Sequence, residues 1–176
     1  MKNKKHFFLS ILILVIFIGC TSTTKKSDSD VDRIQLMILP EYMAMDMSQS
    51  GYTEILDNAK KDGILNTNSL EVERVRNISY NLISQTYIFR DDAQEWNWEI
   101  NVIDSELINA FCMPGGKIVV YSGLINKLDA TDDELAAVIG HEIAHALREH
   151  GRERMSSALV QQVGILGFAI FLSNQD

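Results

Sequence analysis

Five consecutive residues in the C-terminal half of the sequence have the types and spacing of a metal site. They are His141, Glu142, Ile143, Ala144 and His145, an H-E-x-x-H pattern. On a helix, residues four apart lie one turn apart on the same face, so both imidazoles can bind one zinc ion at about 2.0–2.1 Å. Glu142 projects about 100° further round the helix, near the metal without having to bind it. The pattern predicts zinc-assisted hydrolysis of a peptide bond, with Glu142 as the general base.

The sequence around this pattern predicts the helix that it needs. Thr131 and Glu134 have the spacing of a capping box. Apolar residues then recur at a helical period: Leu135, Val138, Ile139, Ile143 and Leu147. We expect Gly151 to be the left-handed residue that ends this helix. The alternative is a solvated histidine pair on an ordinary helix, but the pattern arises by chance in only about one sequence in a few hundred, and the capped amphipathic context favours metal binding.

Composition and charge restrict the class of protein. A chain of 176 residues is long enough for one domain with its own core. The hydrophobic fraction of 46% and the charged fraction of 23% are those of a globular protein. The formal net charge of −8 argues against nucleic acid as a partner. Cys112 lies between Phe111 and Met113, which favours an inert, buried thiol over a nucleophile.

Residues 1–20 have the pattern of a bacterial lipoprotein signal peptide. Three lysines precede an apolar stretch, Phe7 to Ile18, which is too short to span a membrane, and Gly19-Cys20 follows. Cys20 is then the predicted lipidation site, and the alternative is an uncleaved N-terminal anchor. Both predict a protein tethered to a membrane outside the cytoplasm. Without residues 1–20 the chain has 13 basic and 24 acidic residues, a net charge of −11, so the lipid rather than the protein surface would hold it at anionic membranes.

The rest of the chain predicts a polar tether at residues 21–35 and an α+β domain at residues 36–176. A helix is expected from Asn68 to Arg90, with Asn68 and Glu71 as a second capping pair. Strand-like alternation from Trp96 to Val102 precedes two β segments that a tight turn at residues 114–116 joins; these segments are 107–113 and 117–121. A short helix at 124–128 and an apolar helix at 155–172 complete the pattern. We therefore expect a small sheet within residues 96–121, packed beside the H-E-x-x-H helix.

Two sequence blocks in this region resemble one family of metallopeptidases. The first block is Asn109-Ala110-Phe111, Pro114-Gly115-Gly116 and the strand after it, and the second is the HEIAHALREHGRERMS run. In order and spacing they resemble the zincin-like gluzincin family of HtpX, the CAAX prenyl endopeptidase, LoiP and BepA. The resemblance covers about residues 68–160, and the lipoprotein-like start is most similar to the LoiP type.

The resemblance implies a fold, a cofactor and a set of roles. It makes His141 and His145 ligands of Zn²⁺, Glu142 the catalytic base, and Asn109, Ala110 and Phe111 part of an edge strand that binds an extended peptide. The implied function is an endopeptidase of the cell envelope that acts on misfolded or membrane-associated proteins. If the cell is Gram-negative, the implied location is the outer membrane.

The family's third zinc ligand, a glutamate on a later helix, has no counterpart in this sequence. After His150 the only carboxylates are Glu153 and Asp176, and Glu153 lies too close to His145 for a separate helix to return it to the metal. We therefore expect a C-terminally truncated domain that binds zinc weakly and cleaves little by itself. The alternatives are an inactive lipid-anchored binding or scaffold protein that retains the fold, and an unrelated lipoprotein with a fortuitous motif.

Overall fold

Three short apolar segments form a mixed sheet at the centre of the molecule. The structure, a computed structural model, describes residues 20–25 and 34–173, so the signal-peptide prediction lies, apart from Cys20, outside the described residues. The strands are β1 Cys20–Thr21, β2 Gln35–Leu36, β3 Glu99–Ile103, β4 Ala110–Met113 and β5 Lys117–Tyr121. The helices are α1 Glu41–Lys61, α2 Ser69–Ile83, α3 Ser122–Asn126, α4 Asp132–Leu147 and α5 His150–Ser173. This mixed composition confirms the predicted α+β class.

The central sheet has the strand order β3-β5-β4. β3 and β5 are parallel, with Ile100 opposite Ile118, whereas β4 and β5 form an antiparallel hairpin, with Phe111 opposite Val119. The predicted tight turn joins the hairpin, and Gly116 has a φ of +81°, a conformation that L side chains rarely adopt. A Cβ at Gly116 would also lie 2.6 Å from the indole of Trp98. Only glycine fits this position. Because β5 lies between β3 and β4, β4 forms one edge of the sheet.

Alternate side chains of the sheet pack against different helices. One face contributes Ile118 and Val120 to a core with α2 and α4, where Val75, Leu135 and Ile139 are fully buried. The other face packs on α1, whose buried side chains are listed here: Ala44, Ser48, Tyr52 and Ala59. Because successive residues of a strand point to opposite faces, five residues of β5 serve both layers. The sheet is thus covered on both sides, with α4 beside the edge strand β4.

The predicted capping of α4 is confirmed, but the predicted end of this helix is wrong. The backbone N–H of Thr131 donates to the Glu134 carboxylate at 2.8 Å, and the Glu134 N–H donates to the Thr131 hydroxyl at 3.3 Å. The helix ends at Leu147, and Glu149, not Gly151, has the left-handed conformation, with a φ of +49°. Gly151 belongs to α5, where its Cα lies so close to Pro114 that a Cβ would be 3.3 Å from the proline ring.

Four other predicted elements have different bounds. The helix that begins at Asn68 ends at Ile83 rather than Arg90, and two short 3₁₀ helices, Thr86–Ile88 and Asp91–Glu95, follow it. Asn68 caps that helix, because its side-chain oxygen accepts from the N–H groups of Leu70 and Glu71. The Glu71 carboxylate accepts from the side-chain amide of Asn68 and not from its backbone N–H, so the capping box is incomplete. The strand predicted from residue 96 begins at Glu99, because Trp96 and Trp98 stack on each other beside the 3₁₀ turn, with ring centroids 5.5 Å apart.

The other two shifts are small. The segment predicted to begin at residue 107 enters the sheet only at Ala110, since Leu107 and Ile108 are exposed. The short helix predicted at 124–128 occupies Ser122–Asn126.

The N-terminal segments lie against the domain at both ends of the predicted tether. β1 pairs with β2, Cys20 opposite Leu36, and the N–H of Lys25 donates to the Phe89 carbonyl at 2.8 Å. Residues 26–33 lie outside the described residues. The predicted tether thus starts and ends at points that contact the folded core.

The two parts of α5 have different surroundings. At its start, the buried Ser156 hydroxyl accepts a hydrogen bond from the Leu39 N–H at 3.0 Å. Further along, up to Leu166, five large apolar side chains are exposed: Leu159, Val160, Val163, Ile165 and Leu166. Across residues 20–25 and 34–173, no helix has the length and apolarity needed to cross a membrane.

Candidate active site

The two histidines of the H-E-x-x-H pattern face each other across one turn of α4. His141 Nε2 and His145 Nε2 are 2.9 Å apart, and the ring centroids are 4.5 Å apart with the planes nearly perpendicular. His141 is exposed and His145 is half-buried. The i, i+4 spacing therefore does what the sequence predicted and brings two imidazole nitrogens to one point.

This nitrogen pair fits the donor set of a zinc site. Two nitrogens that bind one tetrahedral zinc at about 2.0–2.1 Å lie about 3.4 Å apart, so a small rotation of either ring would admit the ion. Two unprotonated imidazole nitrogens repel each other at 2.9 Å, so either a proton or a cation must lie between them. Imidazole nitrogen is a common ligand of zinc.

Glu142 and His145 line one wall of a cleft of about 660 Å³. The opposite wall is formed by β4 and the turn that follows it, including Phe111 and Pro114, and the start of α5 closes one end. The Pro114 carbonyl accepts a hydrogen bond of 2.7 Å from the Ser48 hydroxyl, which ties α1 to the same turn. Three helices and an edge strand thus hold the walls of the cleft.

The three residues proposed for peptide binding do not share one environment. Asn109 is exposed, and its carbonyl accepts a hydrogen bond from the Tyr121 N–H at 3.1 Å. Ala110 is buried in the core beneath α4, and Phe111 is half-buried and lines the cleft. Along this strand, side chains that could touch a ligand in the cleft therefore begin at Phe111.

Within the described ranges, 20–25 and 34–173, no group of three or more His, Cys, Asp or Glu side chains is placed to hold a metal. Glu153, the first carboxylate after His150 in the sequence, accepts a hydrogen bond of 3.0 Å from Gln35. This contact draws Glu153 towards β2 rather than towards the paired histidines.

His150, to which the sequence analysis assigned no role, lies beside the motif. Its Nδ1 is 2.5 Å from His145 Nδ1, and the ring centroids are 4.8 Å apart. His150 also lines the cleft. Its position follows His145 by five residues, across a break between two helices, so no helical spacing rule could have predicted the contact.

A buried ion cluster shapes the turn between α4 and α5. Glu149 is 4% exposed and binds the guanidinium groups of Arg90 and Arg152, the latter at 2.6 Å. Arg90 also binds Glu41 and Asp92 and lies 5.0 Å from the centroid of the Trp96 ring. Burial alone would lower the pKa of Arg90, but hydrogen bonds to Asp92 and Glu149 outweigh it and hold the pKa above its ordinary value. The cluster therefore stays ionised.

Cys112 is half-buried in the cleft wall, and its thiol remains protonated. Burial raises the pKa of the thiol, and the nearby Glu142 carboxylate raises it further. Since the thiolate is the nucleophile, this environment agrees with the inert thiol expected from the sequence.

Comparison with known proteins gives a family and several relatives. The family model described as "Peptidase family M48" matches residues 69–176. Bovine "Metalloendopeptidase OMA1, mitochondrial" is 33% identical over 98% of this chain and 32% of its own length. "Metalloprotease LoiP" of Escherichia coli is 48% identical over 30% of this chain and 20% of its own length. "Beta-barrel assembly-enhancing protease" of Yersinia pestis is 36% identical over 38% of this chain and 14% of its own length.

The chain spans about a third or less of the length of these relatives. No solved structure matches it.

Proposed function

We propose, from the premise that this chain belongs to peptidase family M48, that it carries the catalytic base and two zinc ligands of an endopeptidase. The observation that carries the proposal is the pair of Nε2 atoms, 2.9 Å apart, on the same helix as Glu142 and beside a cleft. Metalloendopeptidases among the relatives support the same activity class. The donor set fits zinc, and His141 and His145 would hold it.

When bound, zinc would polarise the scissile carbonyl and acidify a water molecule. Glu142 lies in the cleft wall, where its carboxylate accepts the proton of the attacking water and returns it to the leaving amine. His145 is half-buried, and this burial limits the movement of its side chain. The metal position therefore stays fixed relative to Glu142.

For the substrate, we propose an extended polypeptide that pairs with the outer edge of β4. Among the described residues, β4 pairs only with β5, and Phe111 to Met113 line the same cleft as Glu142. An added strand would form main-chain hydrogen bonds with residues 109–113, which gives affinity with little dependence on sequence. Asn109 and Ala110 contribute through their backbone, whereas the Phe111 side chain contacts the substrate directly.

The third zinc ligand, in this proposal, is a carboxylate outside these 176 residues. A catalytic zinc site has three protein ligands and one open position. Residues 20–25 and 34–173 offer two, His141 and His145, and no group of three. The same observation favours a second candidate function, an inactive binding or scaffold protein that keeps the metallopeptidase fold.

Reading the DNA downstream of codon 176 distinguishes these two functions. An open frame of about 60–80 further codons, the order needed for a ligand helix and its packing partners, with an E-x-E-A-D-like run supports the protease. A stop codon with no such run beyond it supports the binding protein.

The catalytic role of Glu142 is tested by the variant Glu142→Gln in the protein that contains the third ligand. We expect casein cleavage to fall by at least about 10²-fold, the usual contribution of general base catalysis, while the zinc content stays the same. Gln161→Ala, at an exposed position on α5, is the matched control and should cleave at the wild-type rate. Unchanged cleavage by Glu142→Gln would exclude this mechanism.

We also propose that the protein is a lipoprotein of the bacterial envelope, anchored through Cys20, that degrades misfolded or membrane-associated proteins. The support is the lipobox-like sequence at residues 17–20. Cys20→Ala should leave the signal peptide uncleaved and remove the acyl group, which mass spectrometry of the membrane fraction detects. If membrane attachment persists and the wild type carries no acyl group, the uncleaved anchor is the correct alternative.

A further inference from the structure

His145 lies between two other histidines and uses a different ring nitrogen for each. Its Nε2 faces His141 Nε2 at 2.9 Å, and its Nδ1 faces His150 Nδ1 at 2.5 Å. The two nitrogens of an imidazole point in divergent directions. His150 therefore cannot join His141 and His145 around one metal ion in this arrangement, which agrees with the absence of a three-ligand group in the described part of the chain.

We propose that His150 is a positioning residue for the zinc site, an inference that rests on the proposed function of His145 as a ligand. His150 Nδ1 accepts a hydrogen bond from the Nδ1–H of His145. That bond selects the tautomer of His145 in which Nε2 has no hydrogen and offers its lone pair to the metal position. A histidine ligand generally donates its other N–H to a fixed acceptor, and this chain places a second imidazole there.

The position of His150 depends on the turn before it. Glu149 has a φ of +49°, a conformation that a residue with a side chain rarely adopts, and its N–H still donates to the Ala146 carbonyl at 2.9 Å. The carboxylate of Glu149 binds Arg90 and Arg152 on opposite oxygens. The Arg152 guanidinium also donates to the Leu39 carbonyl at 2.6 Å.

Both arginines hold Glu149 at the short turn between α4 and α5. α5 then starts at His150 with this imidazole turned back onto α4. The ion cluster thus includes neither Glu142 nor His145, but it holds the turn that places His150 behind His145.

The tautomer of His145 is the direct test. Long-range ¹H–¹⁵N correlation spectra of the metal-free chain, recorded at a pH where the imidazoles are neutral, distinguish Nδ1–H from Nε2–H for each ring. We expect His145 to be protonated at Nδ1 in the wild type and to lose this preference in His150→Leu. His150→Asn places an amide oxygen near the position of Nδ1 and should restore it. An unchanged His145 tautomer in His150→Leu would overturn the inference.

Metal affinity gives the second readout, with Co²⁺ as the probe. We expect His150→Leu to weaken Co²⁺ binding by about 10–100-fold, the usual effect of removing a partner of a ligand. His150→Asn should restore most of the affinity, and Gln161→Ala should not change it. If His150→Leu instead abolishes the binding as completely as His145→Ala, His150 is itself a ligand and the positioning role is wrong.

Failure of the proposed function has a different signature. If His141→Ala and His145→Ala bind Co²⁺ as tightly as the wild type, these residues are not the metal ligands, whatever the tautomer of His145. Thermal unfolding of each variant, recorded by circular dichroism, shows whether a loss of affinity reflects a loss of fold.

Discussion

Helix α4 and the second half of helix α5 are both rich in apolar residues, but the exposure of their apolar side chains differs. Leu135 and Ile139 of α4 are fully buried between α2 and the sheet. On α5, Ile165 is 71% exposed and Leu166 is 63% exposed. The two helices are neighbours in sequence, separated only by Arg148 and Glu149.

The two helices differ in whether the described part of this chain supplies the contacts that stabilise them. α4 has a capping box at its start, a buried face along its length and an ion cluster after its end, all within this chain. In the second half of α5 the side chains of Val163, Ile165 and Leu166 are exposed. A rigid, fully packed helix carries the candidate catalytic residues, as the geometry of a metal site requires. The exposed apolar helix is the kind of surface on which further protein would pack.

Among variants near α4, a substitution in the ion cluster should lower the free energy of unfolding most. Arg90→Met leaves Glu149 with one cationic partner in a buried site, and we expect the free energy of unfolding to fall by about 3–5 kcal/mol. Urea denaturation measures it. Arg74→Met breaks a pair with Asp132 whose side chains are 32% and 72% exposed, so this control should cost about 1 kcal/mol or less. Equal losses in the two variants would show that the buried cluster does not stabilise the turn.

Truncation of matched isoleucines compares the two helices directly. Ile139→Ala in α4 removes a fully buried side chain and should lower the free energy of unfolding by about 2–5 kcal/mol. Ile165→Ala in α5 removes an exposed one and should change it by no more than about 0.5 kcal/mol. A loss of several kcal/mol for Ile165→Ala would mean that α5 is packed within this chain and that the contrast is false.

The N-terminal cap of α4 should contribute less than its core face. Thr131→Ala removes the hydroxyl that accepts from the Glu134 N–H, and we expect a cost of about 1 kcal/mol by thermal or urea unfolding. The control is Thr53→Ala, which removes an exposed hydroxyl in the interior of α1 and should be close to neutral. If the two variants are equally stable, the capping box is dispensable.

Acid should reduce the stability that the Arg90–Asp92 pair of the ion cluster contributes to the fold. A hydrogen bond from Arg90 lowers the pKa of Asp92 below its ordinary value. A carboxyl group with a lowered pKa in the folded state stabilises the protein above its unfolded-state pKa of about 4, and this contribution is lost as the pH falls through the folded-state pKa. Asp92→Asn should therefore lose less stability than the wild type between pH 6 and pH 3. In an Arg90→Met background, Asp92→Asn should not change the loss of stability between pH 6 and pH 3. If it does change this loss, a group other than the Arg90–Asp92 pair causes the pH dependence.

The smallest effect on stability should come from the exposed face of α5. Leu166→Gln is expected to leave the free energy of unfolding within about 0.5 kcal/mol of the wild type and to reduce self-association at high concentration, measured by sedimentation. Ser157→Ala, at a half-buried position earlier on α5, is the matched control for changes on this helix. A loss above about 1 kcal/mol for Leu166→Gln would place Leu166 in a packed interface of this chain.

Local patterns predicted the elements around the candidate site well. The capping box of α4 and the glycine turn of the hairpin were expected, because each follows from residues at most a few positions apart. The edge position of the strand that contains Ala110 and Phe111 was expected only from the resemblance to the metallopeptidase family. Helix α1 was not predicted, since its buried side chains are mostly small or polar and include Ala44 and Ser48. The early end of α2 was also missed, because an apolar period continues beyond Ile83 while the chain turns into a 3₁₀ helix.

The sequence by itself determined that α4 forms and that His141 and His145 lie on one side of it, because these depend on hydrogen bonds and spacings within four residues. The tertiary structure alone decided how α4 ends and which imidazole lies behind His145. Glu149 adopts its left-handed turn with Arg90 as a partner 59 residues earlier in the chain. A contact over that distance leaves no periodic signal, because it forms only when the sheet and helices have brought both segments together.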